Sequence, residues 1–171
     1  MSAPFKFAHA VDLDWTRAAQ ACMNQLGAIP SAATLGFLYV SDAFAGELDA
    51  IQAFFKSATA VPHWTGSVGV GVCASGVEYL GQPAMAVMLG EFEPADFSML
   101  PVLRTPQDID VHPLSDAYFA VVHGDPANNR IQELIEGLSA HVSSGFVVGG
   151  LSSSRGETAQ ISDGVVSGGL S

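Results

Sequence analysis

Leu35-Gly36-Phe37-Leu38-Tyr39-Val40-Ser41-Asp42 sets how the rest of the chain is read. The apolar run over Thr34–Val40 is too short for a helix and predicts a buried strand, which Ser41 and Asp42 end. A helix is predicted from about Ala45 to Ala58, with Leu48, Ile51, Ala53, Phe54 and Phe55 on its apolar side. Then comes His63-Trp64-Thr65-Gly66-Ser67-Val68-Gly69-Val70-Gly71-Val72-Cys73-Ala74-Ser75-Gly76. Here valine alternates with glycine. Valine favours strand, and glycine lets a second backbone or a ligand approach closely. After Gly81-Gln82-Pro83, Ala84–Leu89 predicts another strand.

The same order returns downstream. Ala117–Val122 reads as a strand, and Asn129–His141 as a helix with Ile131, Leu134, Ile135 and Leu138 on one face. Gly145–Gly156 supplies a second glycine loop. Asp163-Gly164 predicts a hairpin turn between Glu157–Ile161 and Val165–Val166. Leu38–Asp42 matches Val121–Asp125, Gly69–Gly76 matches Gly149–Gly156, and Gly81 matches Gly164. The offset of roughly 80 residues is too long for a stacked solenoid, and the reading is a duplication, or else the general likeness of one α/β unit to another. The expected fold class is α/β: a mixed, layered sheet-and-helix domain built from two related strand–helix–glycine-loop–strand halves.

The flanks complete the plan. Phe5–Val11 predicts a first strand, followed by a helix to Gln25, capped by Asp12 or Asp14 and closed by Gly27. Pro94, Pro101, Pro106 and Pro113 predict a surface connector without regular helix or central strand. One domain is expected over 1–171, with a first half at about 1–93, a connector at about 94–114 and a second half at about 115–171. The apolar end Gly168-Gly169-Leu170-Ser171 reads as an interrupted strand.

Composition excludes several function classes. The 171 residues are 49% hydrophobic and 13% charged, which supports a buried core. Net charge is −11, and the six basic residues, Lys6, Arg17, Lys56, Arg104, Arg130 and Arg155, are scattered. Neither nucleic acid nor an anionic membrane is an expected partner, since both require clustered cations. Residues 1–15 lack the basic-then-apolar order of a signal peptide, and no apolar run is long enough to span a bilayer. Cys22 and Cys73 read as free thiols, Cys73 as a buried apolar one. The expected location is the cytoplasm.

The candidate ligand contacts are Gly66, Ser67, Gly69, Cys73, Gly149, Gly150, Ser152, Ser153 and Arg155. Gly66–Gly76 offers unobstructed N–H groups that suit an anion nest, or else glycines that permit tight sheet packing. Ser152, Ser153 and Ser154 beside Arg155 suit a carboxylate or phosphate, or else form a solvated turn with Arg155 paired to Glu157 or a nearby acid. No histidine spacing suits a metal, and no cofactor is expected.

The strand Leu35–Asp42 with Gly66–Val72, and Val148–Ser153 with Gln160, Asp163-Gly164 and Gly168-Gly169, resemble the N-terminal FIST domain (F-box and intracellular signal transduction). That resemblance implies an intracellular, non-catalytic sensory module for a small ligand such as an amino acid. It also implies a C-terminal FIST domain or a signalling output domain as partner. Two other readings stand beside it. One is a hydrolase or transferase with Cys73 or one of Ser152–Ser154 as nucleophile; the other is a protein-interaction scaffold.

Overall fold

Strand β1 (Phe5–Val11) runs into helix α1 (Trp15–Leu26). Asp14 is the cap: its carboxylate accepts from the N–H of Thr16, and Gly27 closes the far end at φ 62. β2 (Leu35–Ser41) follows, then a 3-10 turn at Asp42–Glu47, helix α2 (Leu48–Thr59) and β3 (His63–Gly69). A hairpin of β4 (Gly71–Ala74) and β5 (Val77–Leu80) leads to β6 (Ala84–Gly90). A short helix α3 (Gln107–Asp110) precedes β7 (Phe119–Gly124), α4 (Ile131–His141) and β8 (Phe146–Leu151). The hairpin of β9 (Gln160–Ser162) and β10 (Val165–Val166) comes last. The computed structural model describes residues 5–112, 114 and 116–171; the chain start and the connector's Pro113 lie outside the described residues. The architecture is α/β with mixed sheet, as the sequence predicts.

The main sheet has the order β1-β6-β2-β3-β9-β10, in which only β2 and β3 run parallel. Alternation sorts its faces. Ala8, Ala10, Leu38, Val40, Trp64, Val68, Met85, Val87 and Leu89 pack with Ala18, Cys22, Ile51 and Phe55 of α1 and α2. Tyr39, Thr65 and Ser67 stand on the other face. A second core gathers Leu103, Ile109, Leu114, Val122, Leu134, Leu138 and Leu170 around α4.

The duplication is visible in backbone detail. β7 and β8 pair in parallel as β2 and β3 do. Leu38 faces Gly66, and Val122 faces Gly149. Both glycines have positive φ, 155° and 142°. At each, a Cβ would lie 1.8 Å from the carbonyl oxygen of the facing residue. The return strands are tied alike: Ser41 Oγ accepts the N–H of Ala84 (2.9 Å), and Asp125 Oδ2 accepts that of Gly168 (2.7 Å). Leu170 bridges antiparallel to Gly124 and to Leu103, so β8, β7, Leu170 and Leu103 repeat the order β3, β2, β6, β1.

Three expectations are corrected here. Gly149 is the counterpart of Gly66 rather than of Gly69. Glycine density suggested the first alignment, but close approach of parallel backbones sets the true one. The connector is also more ordered than its prolines imply. It holds α3, and Leu103 and Ile109 are buried in the second core. Finally, Cys73 is exposed on the β4–β5 hairpin, and Cys22 is the buried thiol.

Candidate functional site

The carboxyl ends of the two parallel pairs, β2–β3 and β7–β8, converge on one cleft of about 300 Å³. β2 contributes Tyr39 and Val40; β3 contributes Ser67, Val68 and Gly69; β7 contributes His123; β8 contributes Gly149, Gly150 and Leu151. Gly71 completes the lining. Open α/β folds use this position for ligands, because the loops that follow strand ends leave a crevice there.

The cleft floor joins the two halves through uncharged groups. Tyr39 Oη lies 3.1 Å from His123 Nε2, and Thr65 Oγ1 lies 3.3 Å from His123 Nδ1. Burial lowers the His123 pKa to about 4, so the ring is neutral at physiological pH. A neutral imidazole has one donor and one acceptor nitrogen, and the two hydroxyls suit it in either tautomer. Burial also raises the Tyr39 phenol. Alongside, Ser67 Oγ and Ser152 Oγ share a hydrogen bond of 2.7 Å, and Gln160 Nε2 donates to Ser152 Oγ at 2.6 Å. Gln160 is fully buried, and its Oε1 has no hydrogen-bond partner among the described residues. Such an orphan acceptor costs about 1–3 kcal/mol.

Of the nine residues singled out from sequence, Ser67, Gly69, Gly149 and Gly150 line this cleft. Ser152 is buried and bonded to Ser67, and Ser153 Oγ accepts the N–H of Val70 at 3.1 Å. Gly66 sits inside the β2–β3 ladder. Cys73 lies outside the cleft.

Arg155 is turned to an acid. Its Nε and Nη2 donate to Asp42 Oδ2 and Oδ1 at 2.8 and 3.0 Å, and its backbone N–H donates to Oδ2 at 3.0 Å. The Asp42 carboxyl is held below its usual range by that backbone bond first and the guanidinium second. The guanidinium therefore ties the second glycine loop to the end of β2.

Tyr39 and His123 are the lining residues that the glycine and serine patterns did not point to. A legible clue was there. Tyr39 follows the residue facing Gly66, and His123 follows the residue facing Gly149, so the duplication puts them at equivalent places.

The family model of the FIST N domain matches residues 34–171, and so spans all four strands of the cleft. The chain belongs to the FIST family. FIST domains are sensory domains of signal-transduction proteins. Among curated proteins and among solved structures, nothing matches this FIST chain. Among the described residues no helix is long and apolar enough to cross a membrane, and no group of three His, Cys, Asp or Glu is placed to hold a metal.

A larger hollow of about 370 Å³ is lined by Leu13, Asp14, Trp15, Ala43, Phe44, Glu47 and Pro83. It draws on the first half alone, and Asp14 there is already used as the α1 cap. The FIST cleft at the strand ends draws on both halves.

The two thiols give a direct check of the packing. Burial pushes the Cys22 pKa up to about 12, while Cys73 is open to solvent. A thiol reagent at neutral pH is expected to label Cys73 alone in the native chain, and Cys22 only after denaturation. Labelling of both at equal rate without denaturant would contradict the α1 packing.

Proposed function

We propose that this FIST N domain is an intracellular sensory module that binds a small polar molecule in the cleft between its halves, without catalysis. The observation that carries the reading is the convergence of four strand carboxyl ends on a floor of uncharged hydrogen-bonding groups. The cleft volume is at the low end for ligand pockets. It suits a metabolite of amino-acid size. Its polar side chains supply hydroxyls and a neutral imidazole. Recognition therefore rests on hydrogen bonds rather than on an ion pair, and Arg155 supports the loop instead of meeting the ligand. A C-terminal FIST domain or signalling output domain remains the proposed protein partner.

The catalytic alternative has less support. Among the described residues no hydrogen bond joins a histidine to Cys73, Ser152, Ser153 or Ser154. His123 holds a proton too weakly, at a pKa of about 4, to act as an efficient base near neutrality.

A thermal-shift screen of amino acids and related metabolites tests the reading. A ligand at a hundred times its Kd adds about 2.7 kcal/mol to a folded state that it alone recognises. A hit is expected to raise the Tm by roughly 5–10 °C for a domain of this size, and His123→Phe is expected to lose that shift. A hit whose shift survives His123→Phe unchanged would place binding elsewhere.

A further inference from the structure

The two parallel pairs differ at their outer edges. β3 is covered by β9, with Ile161 facing Gly66. β8 pairs only with β7 among the described residues. Gly149 is accordingly exposed, whereas its counterpart Gly66 is buried.

An open edge strand presents unpaired N–H and C=O groups, and soluble proteins guard such edges with charge, proline or a short length. Here the edge reads Gly145-Phe146-Val147-Val148-Gly149-Gly150-Leu151, with none of those guards. In a chain of net charge −11 this stretch carries no charge, so two copies can meet along it without like charges in opposition. Large apolar side chains also gather there. Phe146 is 61% exposed, Leu151 50%, and Phe119, the β7 partner of Phe146, 52%.

The stretch is complementary to itself in size. Laid antiparallel on a second copy about Val148, Phe146 faces Gly150, Val147 faces Gly149, and Leu151 faces Gly145. Each glycine meets a large apolar residue, as Gly66 meets Ile161 within the chain. An aromatic ring lying over a cross-strand glycine is a known way to compensate for its missing side chain. A two-fold axis through Val148, perpendicular to the sheet, keeps every pair on one face, as antiparallel pairing demands.

We propose that β8 is a homodimer edge, pairing antiparallel with β8 of a second copy across a two-fold axis at Val148. The result is a continuous β7-β8-β8-β7 ribbon that covers Phe146 and the exposed glycines.

Sedimentation velocity on the full chain, without ligand, tests this. The expected result is a concentration-dependent shift from monomer to dimer. Phe146→Glu replaces an exposed side chain. Gly150→Lys adds a Cβ with nothing within 4 Å of it in the folded chain. Each variant alone is expected to lose the dimer species with its circular dichroism unchanged. Mixed together, the two are expected to recover it, because the introduced carboxylate of one copy then faces the introduced ammonium of the other. A wild-type chain that stays monomeric at every concentration would overturn the proposal. So would a dimer that survives both substitutions, or a mixture that associates no better than its components.

Discussion

Gly149→Ala and Gly66→Ala are each expected to cost more than about 4 kcal/mol, the range reserved for a few severe mechanisms. The cause is local. At both positions a methyl group would sit 1.8 Å from a carbonyl oxygen of the facing parallel strand, Val122 or Leu38. The offending atom is backbone, so no rotamer change relieves it. The strands must part, or the positive φ must change and take the ladder with it. Marginal domains hold about 5–15 kcal/mol in all, so either variant is expected to fail to fold at 37 °C. The neighbour Gly150 is the control: no atom lies within 4 Å of its absent Cβ. Gly150→Ala is expected to stay within about 1 kcal/mol of the parent in urea unfolding. Equal stability of Gly149→Ala and Gly150→Ala would remove the main structural evidence for duplication.

The second large effect is a pH dependence from His123. Its pKa is about 4 in the folded chain, against an ordinary 6.5, because burial disfavours the cation. Between those values the unfolded chain binds a proton that the folded chain does not. Stability from this group is therefore complete above pH 6.5 and is lost as pH falls toward 4. The full loss is on the order of 3 kcal/mol. His123→Gln keeps a donor and an acceptor for Tyr39 and Thr65 but cannot charge. Its urea-unfolding stability is expected to be flatter than the parent's between pH 6.5 and 4. The carboxylates of Asp12, Asp14, Asp42 and Asp108 are held below their ordinary 3.8 and lose their contributions at lower pH. Parallel curves for parent and variant across that window would show that His123 is not buried as described.

Much of the scaffold is written locally. Asp14 and Gly27 mark the ends of α1 because capping is a matter of neighbouring residues. Asp163-Gly164 marks the last hairpin because the turn itself needs positive φ, which Asp163 adopts at 58°. The apolar runs mark β2, β6 and β7 because each buries one or both faces. What stayed hidden depends on distant partners. The β9–β10 hairpin follows β8 in the chain, yet it adds to β3, and no local pattern shows which edge a hairpin will choose. Leu103 and Ile109 look like connector residues between prolines. They are buried because the second core needs a lid over α4.

The site divides in the same way. Ser67, Gly69, Gly149 and Gly150 were legible because glycine in a strand signals close approach. His123 was not, because Tyr39 and Thr65 lie 84 and 58 residues away along the chain. Arg155 looked like a ligand contact because its serine neighbours were visible, while its partner Asp42 lies 113 residues upstream.

The measurement that bears most directly on the sensory reading is amide chemical-shift mapping of the full chain with the strongest thermal-shift hit. Perturbations are expected at Ser67, Gly69, Gly149 and Gly150, on both halves at once. Perturbations confined to Leu13, Ala43 and Glu47, or to one half alone, would contradict that reading.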